Sequence, residues 1–100
     1  MNEVTYALLN RHGSPQVCTH QEWHHWFDHG GEDQMKIRRS TVNDWEIDVW
    51  FQGNSIAQDG PHLFWEVTAN HPSDCPFLQR CGTREEALQL YDALVAQGAE

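Results

Sequence analysis

One hundred residues suit one hydrophobic core, and a 39% apolar content that includes five Trp is enough to build it, which excludes a disordered chain and a catalytic domain beside a separate binding domain. Fifteen acidic against six basic residues leave a net charge of −9, a field that opposes direct nucleic-acid binding and favours a basic protein or a cation. Three Cys without CxxC spacing argue against a disulfide framework and a zinc knuckle, and neither a secretory leader pattern nor a membrane-length apolar run is present, so the expected setting is the cytoplasm, without membrane contact.

In chain order, residues 4–9 are apolar and partly β-branched, closed by Gly13-Ser14-Pro15, and read as a first strand. Thr19 and Glu22 have the spacing of a capping box, and Trp23, Trp26 and Phe27 follow at helical intervals until Gly30-Gly31, which predicts a helix over about 20–29. Residues 35–42 suit a strand. From Trp45 the alternation is clean, with Trp45, Ile47, Val49 and Phe51 on one side and Glu46, Asp48, Trp50 and Gln52 on the other. The turn-rich segment 53–61 then leads to a second alternating run, 63–69, predicting an antiparallel hairpin with a long loop. A short strand around 78–81 follows the loop between Pro72 and Pro76. A second capping box, Thr83 with Glu86, opens a helix over about 84–97 whose stripe is Ala87, Leu88, Leu90, Tyr91, Leu94 and Val95. Strands in the middle and helices near both ends predict a single α+β domain over residues 1–100, an antiparallel sheet of about four strands with both helices packed on one face.

At the hairpin the residues Val49-Trp50-Phe51-Gln52-Gly53, then Gly60-Pro61-His62-Leu63-Phe64-Trp65-Glu66, then Thr83 with Glu86-Ala87, form a pattern. It resembles small uncharacterised proteins encoded in bacterial and phage genomes. The resemblance covers the second half of the chain, implies the same strand-turn-strand-helix order and a mobile-element origin, and carries no activity with it.

Two groups of residues bear chemistry. His20, His24, His25 and His29 crowd into ten positions, and on a helix His20 with His24, and His25 with His29, stand one turn apart, a spacing that chelates zinc or another divalent metal. Glu22 or Asp28 would complete the set, but HExxH is absent, two ligands make no site, and ordinary surface histidines are the competing reading. The second group is Asp44, Glu46 and Asp48, which an extended strand points to one side about 6.5 to 7 Å apart, with Glu66 joining from the partner strand and Trp50 and Phe64 on the same face. A nuclease lacks its Lys at motif spacing, a nucleic-acid mimic fits the carboxylate interval, and a solvated sheet face is the plain alternative. Cys75, beside Pro76 with His71 four positions earlier, stands in no nucleophile signature. Alternation puts Lys36 and Arg38 on one side and Arg39 opposite, as partners for nearby carboxylates.

The reading that follows is a non-enzymatic interaction protein whose face of Asp44, Glu46, Asp48, Trp50, Phe64 and Glu66 meets a protein with a basic surface, in the manner of a phage-encoded modulator of a host nucleic-acid-handling or defence complex. The alternative is a metal-binding module or metal-dependent enzyme built on the histidines. A homodimer is a third expectation, because five indoles are hard to bury in so small a domain, and Trp50 is the indole expected at the surface.

Overall fold

The computed structural model describes residues 4–55 and 62–98. Residues 56–61, which hold most of the expected loop and the Gly60-Pro61 step of the resemblance, lie outside the described residues, as do 1–3 and 99–100. The fold is α+β, with two antiparallel sheets where the sequence predicts one. The elements in order are β1 (Thr5–Leu9), β2 (Pro15–Cys18), α1 (His20–Trp26), a single helical turn α2 (Glu32–Met35), β3 (Lys36–Val42), β4 (Trp45–Phe51), β5 (Asn54–Ser55), β6 (Trp65–Asn70), β7 (Phe77–Cys81) and α3 (Arg84–Gly98).

The larger sheet has the order β3-β4-β6-β7, and β1 stands in the centre of the smaller one, β2-β1-β5. Neither β2 nor β5 is predicted by the sequence. Pro15 pairs with Leu9 at the first position of β2, where a missing N–H does least harm to the ladder. β5 is two residues long and exists because the chain turns at Gly53, whose φ of 71° carries it out of β4 and against β1. The Gly53 carbonyl then accepts from the Ala7 N–H at 2.9 Å.

Asn43 and Asp44, at φ 49° and 69°, form a two-residue turn that pairs Val42 with Trp45. Positive φ at both positions matches the right-handed twist of the flanking strands, and Asn and Asp tolerate it better than most residues. On the inner side of the large sheet Ile47, Val49, Phe51, Trp65, Val67, Ala69 and Cys81 are buried. Helix α3 covers this side through Ala87 and Tyr91, and the Tyr91 hydroxyl hydrogen-bonds the Ser40 hydroxyl. Its first turn is capped by Thr83 Oγ1, which accepts from the Glu86 N–H at 3.1 Å.

Helix α1 packs instead beside β1. Its predicted capping box is present, with Thr19 Oγ1 accepting from the Glu22 N–H and the Glu22 carboxylate accepting from the Thr19 N–H, both at 3.0 Å. After Trp26 the helical path kinks at His29 and Gly30, the latter at φ 103°, before α2 begins. None of the described indoles is fully exposed: Trp65 is buried, while Trp23, Trp26, Trp45 and Trp50 are half-buried against the core or the sheet. Trp50, the indole expected at the surface, is half-buried on the side of β4 opposite Ile47, Val49 and Phe51.

Candidate functional site

Strand register defines the outer face of the large sheet. Arg39 lies opposite Asp48, Asp48 opposite Thr68, and Thr68 opposite Leu78; in the neighbouring row Lys36, Trp50, Glu66 and Arg80 follow one another, and Thr41, Glu46 and Asn70 make a third. Directly opposed residues share a face, so these rows form one surface. All three helices reach the sheet from the Phe51 side: α1 through the Trp26 ring edge-on to Phe51, α2 through the buried Met35, and α3 through Tyr91. No described helix therefore covers the outer face, and Leu78 is 63% exposed on it.

Four of the expected partner residues, Glu46, Asp48, Trp50 and Glu66, meet here. Asp44 does not, because it occupies the turn and leaves the strand before its alternation begins. Phe64 does not either: it precedes the first residue of β6, is only 6% exposed, and packs on Phe51 and His62 with ring centroids 6.1 and 5.4 Å away.

The expected solvated carboxylates are also corrected, since Asp48 and Glu66 are each only 7% exposed. Long cross-strand neighbours cover them and neutralise them. Arg39 Nε donates to Asp48 Oδ1 at 2.9 Å while its Nη2 stands 3.5 Å from Glu46 Oε2, and Arg80 Nε stands 3.5 Å from Glu66 Oε2. Burial pushes the Asp48 carboxyl above its usual range, Arg39 opposes that shift, and Glu46 adds to it. Glu46 stays exposed on this face, and further exposed carboxylates lie on the helical segments. Glu22, Asp28, Glu32 and Asp33 lie in the segment 20–35, which holds no Lys or Arg, and Glu85, Glu86 and Asp92 lie on α3.

Arg39 and Lys36 stand on the outer face together, contrary to simple alternation. A β-bulge between Lys36 and Arg38 sets Lys36 opposite Trp50 and Arg38 opposite Val49, and the Arg38 guanidinium sits 5.7 Å from the Tyr91 ring centroid on the inner side. The sequence reading missed Arg80, Thr68 and Leu78, because only the register of β6 with β7 brings them to Glu66 and Asp48.

The histidines remain apart from this face. His24 Nδ1 is 3.2 Å from Asp28 Oδ2, the His25 and His29 rings stack at 4.0 Å, and His29 Nδ1 bonds the His25 carbonyl at 2.7 Å. The His20 ring leans on Tyr6 at 4.7 Å. Among the described residues no three His, Cys, Asp or Glu side chains converge to hold an ion. Cys75 is exposed, while His71 Nδ1 accepts from the Ser73 N–H at 3.0 Å and its ring packs on Trp45 at 5.0 Å.

The fold and face define an α+β protein of two antiparallel sheets with one ion-paired sheet surface that no described helix covers. Comparison with known proteins adds no relative: no family model, curated protein or solved structure matches the chain significantly. Among the described residues no helix is long and apolar enough to cross a membrane.

Proposed function

We propose that the chain is a non-enzymatic interaction protein whose outer sheet face receives a positively charged protein. The observation that carries this reading is the presence of half-buried Trp50 and 63%-exposed Leu78 on one sheet face that no described helix covers. Aromatic and aliphatic anchors supply most interface affinity, and paired charges around them fix register. Because Asp48 and Glu66 are already neutralised by Arg39 and Arg80, the attraction for a basic partner comes from the exposed carboxylates of Glu46, Asp44 and the two helical segments, which act at long range on approach. Together with the resemblance to phage-encoded proteins, this makes the partner a basic, nucleic-acid-handling host protein.

A photo-reactive residue at position 78 captures such a partner, and its affinity is then followed with rising salt. Trp50→Ala should weaken binding at least about tenfold through loss of an anchor, and salt should slow association more than it speeds dissociation. Affinity indifferent both to salt and to Trp50→Ala overturns the reading.

A further inference from the structure

On the inner side of the large sheet, the β1–β2 turn, α2, the first residues of β3 and β6, and the start of α3 line one cavity of about 480 Å³. The size lies within the usual span of small-ligand pockets, about 300 to 1,000 Å³. Leu9 and Trp65, both buried, form its floor with half-buried Ile37, and exposed Arg11, Gln34 and Arg84 form its rim. Among the described residues neither guanidinium has an ion-pair or hydrogen-bond partner, and no Asp or Glu lines the cavity. In a chain with 15 acidic residues, two unpaired arginines from distant segments thus share a site without a carboxylate. We propose that this cavity binds a small phosphate monoester, its phosphate held by Arg11 and Arg84 and its organic group resting on Leu9 and Ile37.

Neither arginine has a place explained by the fold. Arg84 is the first residue of α3, at the positive end of the helix, where a cation is repelled and a carboxylate would stabilise. A bound dianion reverses that sign, because it gains from the guanidinium and from the helix end together. Arg11 is held at the tip of a turn that Asn10 closes, with Asn10 Oδ1 accepting from the His12 N–H at 2.9 Å and the Ser14 N–H at 3.1 Å. Neither arginine belongs to a strand, so no sheet register assigns them to different faces. Two forked donors from separate segments suit a tetrahedral phosphate, whose oxygens point in several directions, better than one planar carboxylate. Glu85 and Glu86 on the first turn of α3, and Glu32 and Asp33 on α2, flank the site without lining it. Their field makes the site selective, since an anion gains attraction only where both arginines reach it.

The test uses the full chain, two-dimensional amide spectra and three small probes, with no protein partner. The cavity lies on the other side of the sheet from the proposed interaction surface, so the two readings fail separately. The probe n-butyl phosphate, at a pH where it is a dianion, should move the amides of residues 10–13 and 84. Inorganic phosphate, which lacks the apolar body, and hexanoate, which lacks the second charge, should each bind at least about tenfold more weakly. Arg11→Gln and Arg84→Gln should each lose about tenfold in affinity, the order expected for a charge-assisted hydrogen bond. Both positions are exposed, so spectra unchanged away from the substitution show that the fold is retained. Lys36→Gln removes a cation from the outer face and should bind as the parent does. No movement of these amides, hexanoate or inorganic phosphate binding as tightly as n-butyl phosphate, an equal loss in Lys36→Gln, or affinity unaltered in both arginine variants overturns the proposal.

Discussion

Arg80 and Asn54 join the two sheets. From β7 the Arg80 guanidinium donates through Nη1 to the Asn54 main-chain oxygen on β5 at 2.8 Å and through Nη2 to its side-chain oxygen at 3.2 Å. The same Nη1 donates to the Leu63 carbonyl at 2.9 Å, and Nε faces Glu66. One planar group therefore satisfies acceptors on β5 and on the run from Leu63 into β6, which belong to different sheets. An ammonium cannot reproduce that fork.

Arg80→Gln should cost about 2 to 4 kcal/mol in urea unfolding, because it removes these bonds and leaves the Glu66 carboxylate covered and unpaired. Adding Glu66→Gln should recover part of the loss. A double mutant as unstable as the sum of the two single changes would show that the Arg80–Glu66 pair is not coupled.

Two glycines with positive φ separate conformational from steric cost. A Cβ at Gly53 would lie 2.3 Å from Trp23 Nε1 and 2.8 Å from the Ala7 carbonyl oxygen, whereas at Gly30 it would meet nothing within 4 Å. Gly30→Ala should cost about 1 to 2 kcal/mol from backbone strain alone. Gly53→Ala should cost about 2 kcal/mol more, since it also drives Trp23 off β1. Equal melting temperatures for the two variants would contradict the placement of Trp23.

The pH dependence of Asp48 has a definite sign. Burial raises its folded-state pKa above the ordinary value of 3.8, so the folded form favours the protonated carboxyl. Its contribution to stability is full below 3.8 and is lost as pH rises through the raised value. Asp48→Asn, which keeps an oxygen for Arg39 Nε, should therefore equal or exceed the parent in stability at neutral pH, by up to about 1 kcal/mol. That advantage should shrink as pH falls towards 3.8 in urea titrations. A variant clearly less stable at neutral pH and no different in acid would reverse the sign.

Local signals in the sequence recover the elements whose pattern is complete within one segment. Trp45 to Phe51 alternate because β4 is central and faces a core on one side, and Thr19 with Glu22 forms the expected cap because both partners lie within one helical turn. What escapes the sequence is decided by distant residues or by single-residue irregularities. Val17 on β2 is 63% exposed and leaves no apolar pattern to read, and β5 depends on the register of β1. An extra residue at the bulge reversed the side assigned to Lys36 relative to Arg39, and Arg80 met Glu66 only through the pairing of β6 with β7. The site was thus half legible: its carboxylates and Trp50 lie on one alternating strand, while the arginines that neutralise them come from two others.

The tight turn at Asn43-Asp44 also sets an order of events in time. It lets β3 and β4 pair from neighbouring residues, a step that takes about 1 to 10 μs in isolated hairpins. The contacts that lay α3 over this hairpin, Tyr91 to Ser40 and the Gly98 carbonyl to the Asn43 amide, span 51 and 55 residues and must await closure of the intervening chain. The apolar side of the hairpin is consequently made before its cover arrives. During that interval Ile47, Val49 and Phe51 are the stretch most open to self-association, and the cations of β3 flank them as gatekeepers along the free edge.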